Sequence, residues 1–300
     1  MRRKFFTLDV FTRRRYAGNP LAVVLDVDGL DGAAMQSIAR EFNLSETVFV
    51  LPPVDKAHRA KLRIFTPMTE LAFAGHPTVG SAVLLNRIDG AAGKREIVLE
   101  EGIGPVRCTV EALDPETGSA RFDLARLPVD AGPVAPPAAI AAALGLGEAD
   151  IGFEGFKPAR WSAGNEFNFV PLSGLDAMRR CRANTASWSA GFLGREGRAS
   201  AFMFCRETVE RGHDFHARMF APLGGIPEDP ATGSGVAAFA GVLAHFTRMT
   251  DGEHDLVIEQ GYEMGRPSLI RLAMTVQGGQ LTAAAIAGEA VVVSEGTLEA

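Results

Sequence analysis

The chain has 300 residues, 47% hydrophobic and 22% charged, enough for the cores of two ordinary domains. Its net charge of −6 argues against nucleic acid as a partner, because phosphate backbones call for clustered Lys and Arg; the short basic run Arg13-Arg14-Arg15 reads as a solvated loop. Three cysteines, Cys108, Cys181 and Cys205, with no Cys-x-x-Cys spacing give neither a disulfide framework nor a zinc pattern.

In chain order, Met1-Arg2-Arg3-Lys4 is followed by Phe5-Phe6-Thr7-Leu8-Asp9, too short and too polar for the core of a signal peptide. Phe5 to Val10 and Leu21 to Leu25 read as strands. Met35, Ile38 and Phe42 share one helical face, so Asp31 to Asn43 is expected to be an amphipathic helix. Thr47 to Leu51 and Ala60 to Phe65 are β-rich and flank a Pro-Pro turn. Ala82 to Leu85 is apolar all round, as a buried helix is. Ile97 to Glu100, Val106 to Val110 and Arg121 to Leu124 are further strands.

Leu127 to Pro137 carries four prolines and reads as a linker, which places one domain at 1–128 and the other at 129–300. In the second half, Phe167 to Leu172, Ala201 to Cys205 and His213 to Phe220 are expected strands, and Leu175 to Arg182 an expected helix. Val236 to Phe246 is a second, almost wholly apolar helix, well short of the roughly 20 residues a membrane span needs. Strands then run from Leu256 to the end, and the one around Ala290 to Val293 is a candidate to cross back to the first domain. Each half thus reads as a sheet curled around one hydrophobic helix, and the whole as a soluble cytoplasmic protein with no membrane partner.

The chain also repeats itself once, at half its length. Arg63-Ile64-Phe65-Thr66-Pro67 returns as Arg218-Met219-Phe220-Ala221-Pro222, and His76-Pro77-Thr78-Val79-Gly80-Ser81 as Asp229-Pro230-Ala231-Thr232-Gly233-Ser234. Gly18-Asn19 matches Gly164-Asn165, Gly29-Leu30-Asp31 matches Gly174-Leu175-Asp176, and Leu99-Glu100-Glu101-Gly102 matches Ile258-Glu259-Gln260-Gly261. Two similar halves follow, with a small-molecule site expected between them.

Each Pro-x-x-Gly-Ser lies between a strand and a buried helix. A helix N-terminus offers free N–H groups and the positive end of a dipole, and glycine lets a ligand approach, so the amides around Gly80-Ser81 and Gly233-Ser234 are candidates to hold a carboxylate. For Asp229, helix capping explains the residue as well as catalysis does, since Asp is a favoured N-cap and Pro a favoured first helical residue; His76 is a poor cap and points to function. Glu46 in Ser45-Glu46-Thr47-Val48-Phe49-Val50 shares a strand face with Val48 and Val50 if the strand begins there, which would favour its neutral form and suit it to shuttle protons. The local pattern gives more weight to a solvated turn residue before a strand that begins at Thr47. His213 and His216, on a strand, point to opposite faces, so no shared metal ion is expected. No dinucleotide, P-loop or serine-nucleophile signature is present.

Gly18-Asn19-Pro20-Leu21-Ala22-Val23, Ser45-Glu46-Thr47, Gly75-His76-Pro77-Thr78 and Glu228-Asp229-Pro230-Ala231-Thr232-Gly233-Ser234, with Glu259-Gln260-Gly261 behind them, resemble the PhzF family of phenazine-biosynthesis-type isomerases. The resemblance covers nearly the whole chain. It implies a mixed α/β (α+β) fold similar to diaminopimelate epimerase: two similar domains, each a barrel-like curled sheet around a central apolar helix. It also implies that Glu46 matches the proton-transfer residue and that His76, Asp229 and Ser234 line the same pocket. Gly75, Gly233 and Thr232 match substrate contacts, and Ser45, Gly80 and Ser81 join them as substrate-binding candidates. Family members use no metal or organic cofactor and are typically homodimers. Related racemases place a cysteine in each half where His76 and Asp229 are matched here, so a two-thiol mechanism is not expected. Phenazine-making members carry a histidine two residues after the serine, where this chain has Val236, and the substrate is left open. The expected activity is a cofactor-independent proton shift on a small carboxylate-bearing molecule. The alternatives are an epimerase or racemase using Glu46 with His76 or Asp229, and a non-catalytic small-anion-binding protein.

Overall fold

The computed structural model describes residues 1–194 and 199–300. Contacts divide the chain into two units, Met1–Asp123 with Ala287–Ala300, and Leu124–Ile286. The division falls after Asp123 rather than at Pro128, and the last residues belong to the first unit. The second unit is therefore an insertion into the first.

In the first unit the chain runs through β1 (Arg2–Val10), β2 (Asn19–Val24), α1 (Gly32–Phe42), β3 (Glu46–Leu51), β4 (Ala60–Phe65), β5 (Glu70–Leu71), α2 (Gly75–Ile88), β6 (Lys94–Glu101), β7 (Gly104–Ala112) and β8 (Thr117–Asp123). The second contributes β9 (Val129–Asp130), α3 (Pro137–Leu144), β10 (Ala159–Ser162), β11 (Glu166–Pro171), α4 (Leu175–Arg180), α5 (Trp188–Gly191), β12 (Ala201–Cys205), β13 (Phe215–Ala221), β14 (Ile226–Asp229), α6 (Gly233–Phe246), β15 (Gly252–Gln260) and β16 (Ser268–Gln277). The long final strand β17 (Gln280–Glu299) begins in the second unit and ends in the first.

The first unit is a closed barrel. β17 pairs with β1 from Ala290 to Glu299, and the ladder continues through β2, β3, β4, β6, β7 and β8 back to β17. Two of its pairs, β2–β3 and β4–β6, are parallel. Closure follows from α2, which is buried from Gly75 to Asn86 and touches β1, β2, β3, β6, β7 and β8. A helix with no polar face must be covered on every side. By contrast α1 lies outside, with Asp31 as its N-cap accepting from the Ala34 N–H at 2.8 Å and only Met35 and Ala39 fully buried.

The second unit repeats this order. β9, β10 and β11 are antiparallel, β11–β12 parallel, β12–β13 antiparallel, β13–β15 parallel and β15–β16 antiparallel. β16 turns into β17 through Gly278-Gly279, whose φ of 61° and 72° is the left-handed backbone of a tight two-residue hairpin. Its buried helix is α6, where Phe239 packs on Phe204 and Phe215 with ring centroids 4.7 and 5.1 Å apart. A second apolar cluster, with Ile140, Leu144, Met178, Trp188 and Phe192, joins α3, α4 and α5 outside the sheet. The sequence reading missed α3 and α5. It also treated Leu127 to Pro137 as linker throughout, whereas Ala135 is buried and β9 pairs with β10.

The repeated arginines explain one match. Arg63 donates from Nε and Nη2 to Glu70, both at 2.7 Å, and Arg218 donates in the same two-pronged way to Glu228, at 2.8 and 2.9 Å. Each pair fixes the short strand that leads into the buried helix. Arg218 also donates from Nη1 to the carbonyls of Met178 and Cys181 at the end of α4, at 2.6 and 2.9 Å. The partners are 7 residues apart in the first unit and 10 in the second. That difference corrects the match between His76-Pro77 and Asp229-Pro230. α2 begins at Gly75 and α6 at Gly233, so His76 corresponds to Ser234. A Cβ on Gly102 would meet Ala72 Cα at 2.7 Å, and one on Gly261 would meet Pro230 O at 2.6 Å, which makes Ala72 the counterpart of Pro230.

Arg218→Ala leaves Glu228 half-buried and unpaired and the end of α4 uncapped. It should cost about 3 kcal/mol in denaturant unfolding, against about 1 kcal/mol for Arg63→Ala, whose ion pair is more exposed.

Candidate active site

Glu46 opens β3, paired in parallel with β2 at Leu21. Its side chain is 11% exposed, so the strand begins at Glu46 and not at Thr47; the solvated-turn reading is overturned. Ser45 is half-buried just before it. His76 is the second residue of α2, and its Nε2 lies 3.1 Å from Glu46 Oε2. The carbonyl of Pro20 is the ring's other partner. Burial pushes the imidazole down to about 3, opposed only by that carbonyl. The neutral ring gives its single proton to Pro20, which leaves Nε2 as a bare acceptor facing Glu46. Glu46 Oε2 and the ring nitrogen lie 3.1 Å apart in the buried interior, in close contact but without hydrogen-bond geometry between them.

The N-terminus of α2 has no side-chain cap, and Thr78 N–H already bonds the Ala74 carbonyl at 3.2 Å. Pro77 has no N–H, so the free amides are those of Gly75 and His76. The expectation for Gly80 and Ser81 changes accordingly. Both lie in the second turn, where their amides serve the helix itself. A Cβ on Gly80 would lie 2.6 Å from Leu21 and 2.7 Å from Val10, so this glycine lets the helix approach β1 and β2.

In the second unit, Asp229 ends β14 and is buried. It is not the N-cap of α6: Thr232 holds that position, and its hydroxyl donates to Asp229 Oδ2 at 2.5 Å. Pro230 likewise precedes the helix. Gln260 locks the segment, donating from Nε2 to the Asp229 carbonyl at 2.8 Å and to Thr232 Oγ1 at 3.0 Å, and accepting from Thr232 N–H at 3.1 Å. The amides of Gly233, Ser234 and Gly235 are left without partners inside the helix, since the first helical bond runs from Val236 N–H to the Thr232 carbonyl. Such a cluster suits an anion.

His213 and His216 do not point apart. β13 begins at Phe215, so His213 is outside the strand, and both rings meet one carboxylate, each Nδ1 lying 2.7 Å from Glu259. His216 Nε2 also faces Glu263 at 3.0 Å; burial works against its charged form, but the two carboxylates outweigh it and raise the ring above its ordinary value. Glu259 accepts from the N–H groups of Val209 and Glu210 as well, at 2.5 and 3.2 Å. Its counterpart Glu100 accepts from Val54 and Asp55, both at 2.8 Å, and lies 2.9 Å from His58, partners that bring its carboxyl down to about 2. The two glutamates pin equivalent hairpin loops, which is what their sequence match signals. Among the described residues no group of three or more His, Cys, Asp and Glu could hold a metal ion, no helix is long and apolar enough to cross a membrane, and all three cysteines are buried and unbridged. Glu101 and Gln260 stand in the same matched segment, and the sequence reading passed over their contacts with the helix ends.

A closed barrel around a buried helix, carrying a buried carboxyl–imidazole pair at the helix end, is the frame of an isomerase. The chain belongs to the PhzF family: the model of phenazine biosynthesis-like proteins matches residues 8–296. An uncharacterized isomerase of Mesorhizobium japonicum is 54% identical over 99% of this chain and 98% of its own. The trans-2,3-dihydro-3-hydroxyanthranilate isomerase of Pseudomonas aeruginosa is 31% identical over 98% of each. The crystal structure of a PhzF-family protein from Bacillus anthracis superposes over the whole of both chains with a TM-score of 0.89 at 27% identity.

Gly80→Ala drives a methyl into Leu21 and Val10. It should lower stability by about 2 kcal/mol in thermal or denaturant unfolding, while ligand affinity per folded molecule stays unchanged.

Proposed function

We propose that this protein is a cofactor-independent isomerase that moves a proton on a small carboxylate-bearing substrate. The observation that carries this reading is the contact between Glu46 and His76, 3.1 Å apart and shielded from water. Glu46 takes a proton from carbon and returns it at another position, and the bare Nε2 of His76 stores or steers the proton in between. A proton exchanged between two buried groups does not leak to solvent, which favours return to the same molecule. Because Glu46 and His76 stand side by side, they serve one face of a substrate. A racemase using this pair alone would need bases on two faces, so the allylic type of shift fits better.

In the second unit, Asp229, tied to Thr232, and the amides of Gly233, Ser234 and Gly235 are proposed to bind polar and anionic groups such as a carboxylate. Gly75 and Ser45 are the further contacts proposed beside Glu46, and the Thr232 side chain the one proposed beside Asp229. The relatives named as trans-2,3-dihydro-3-hydroxyanthranilate isomerases act on a cyclic amino acid of that size, and a compact ring carboxylate is the proposed substrate class. A homodimeric, cytoplasmic enzyme is part of the same reading and rests on the family resemblance.

Glu46→Gln should lose at least the roughly hundred-fold that a general acid–base group supplies, with binding retained. The check is turnover and solvent-deuterium uptake on a compound found by thermal-shift screening of ring carboxylates. Full turnover by Glu46→Gln would sink the mechanism. Equal binding by both proteins, with no exchange in the wild type, would point instead to a small-anion-binding protein.

A further inference from the structure

Glu101 ends β6 and is 7% exposed. Its Oε1 lies 2.7 Å from the hydroxyl of Thr78, in the first turn of α2, and that hydroxyl lies 2.8 Å from the Ala74 carbonyl. The hydroxyl has one proton and the carbonyl can only accept. If the proton goes to Ala74, as geometry within a helix favours, the contact with Glu101 needs a proton from the carboxyl. Glu101 Oε2 is buried with no hydrogen-bond partner, which is costly for a carboxylate oxygen and far less so for the carbonyl oxygen of an acid.

The second unit supports the same assignment chemically. The matched position is Gln260, a permanent neutral donor, and it donates to Thr232 Oγ1 and the Asp229 carbonyl at the start of α6. The next residues, Gly102 and Gly261, approach equivalent backbone at Ala72 and Pro230. One position in each unit therefore ties a strand end to the start of the buried helix, with an amide in one case and a carboxyl in the other.

We infer that Glu101 is a positioning residue: a carboxylic acid kept protonated so that it donates to Thr78 and fixes the first turn of α2, and with it His76, against Glu46. The inference rests on the proposed role of Glu46 and His76 for its bearing on catalysis, and on geometry alone for its bearing on the helix. Burial pushes this carboxyl from 4.5 up to about 8, with the Thr78 contact opposing. The group that acts on it is Thr78 on α2; the nearby Cys108 thiol on β7 is kept neutral by burial. Because the folded value lies above the unfolded one, the contribution to stability is full below about pH 4.5 and is lost as pH rises toward 8.

The test is a titration of wild type, Glu101→Gln and Thr78→Val by carboxyl-carbon and amide NMR, with turnover measured alongside. In wild type, one carboxyl should titrate near pH 8 and the Gly75 and His76 amides should shift with the same midpoint. In Glu101→Gln that carboxyl signal disappears and the two amides stay at their low-pH positions. In Thr78→Val a carboxyl still titrates but the amides no longer follow it. Turnover of wild type should fall about ten-fold between pH 7 and 9, and that alkaline fall should be absent in Glu101→Gln. A Glu101 carboxyl titrating in the ordinary range, or Gly75 and His76 amides that ignore its titration, would overturn the inference. A Glu46→Gln protein with full turnover would sink the isomerase reading and leave the amide result standing. An alkaline fall identical in wild type and Glu101→Gln, with turnover dependent on Glu46, would sink the positioning role alone.

Discussion

A helix with no polar face sets the terms for everything else in this molecule. α2 and α6 are apolar or small on all sides, so each can exist in water only if a sheet wraps it. The wrapping strands then reach the helix ends, where backbone N–H groups lack partners by geometry. Those ends are the one place in the core where polarity is unavoidable. Glu46, His76 and Glu101 gather at the end of α2, and Asp229, Thr232 and Gln260 at the end of α6. The site candidates are therefore located by the same constraint that builds the core.

The two units use one plan with different chemistry. The parallel pairs, the two-pronged arginine–glutamate clamp and the loop-pinning glutamates Glu100 and Glu259 are kept in both. The reactive positions are not kept. β3 opens on Glu46, whereas β12 opens on Ala201; the position of His76 corresponds to Ser234, and that of Glu101 to Gln260. Residues that close the fold recur, whereas Glu46, His76 and Glu101 have the non-titratable counterparts Ala201, Ser234 and Gln260.

Much of this was legible from residues alone, for stated reasons. The spacing of Met35, Ile38 and Phe42 located α1, and the featureless apolarity of Ala82 to Leu85 and Val236 to Phe246 marked the wrapped helices. The β-rich run Ala60 to Phe65 and the strand expected at Ala201 to Cys205 match β4 and β12 at their observed bounds. Failures came where long-range geometry decides. Local pattern put Glu46 in a turn because nothing near it in sequence shows that His76 covers it. Matching Pro77 to Pro230 slipped because the second hairpin is longer, a difference visible only once Glu70 and Glu228 are seen on their arginines. The opposed-face argument for His213 and His216 failed because the strand starts between them. α3 was missed because the linker reading ran to Pro137 and nothing was assigned to the alanine-rich stretch after it, although Pro137 sits where a helix tolerates proline.

The passage of β17 from one unit to the other has a consequence for synthesis. The barrel around α2 closes only when Ala290 to Glu299 lie beside β1, so the first unit keeps one open seam until that strand has left the ribosome. The inserted unit, Leu124–Ile286, has all its own chain earlier and can complete first. Order of translation and order of folding thus run opposite ways, and during that interval the nascent chain exposes the unpaired outer edge of β1, an edge on which a neighbouring strand would compete with β17.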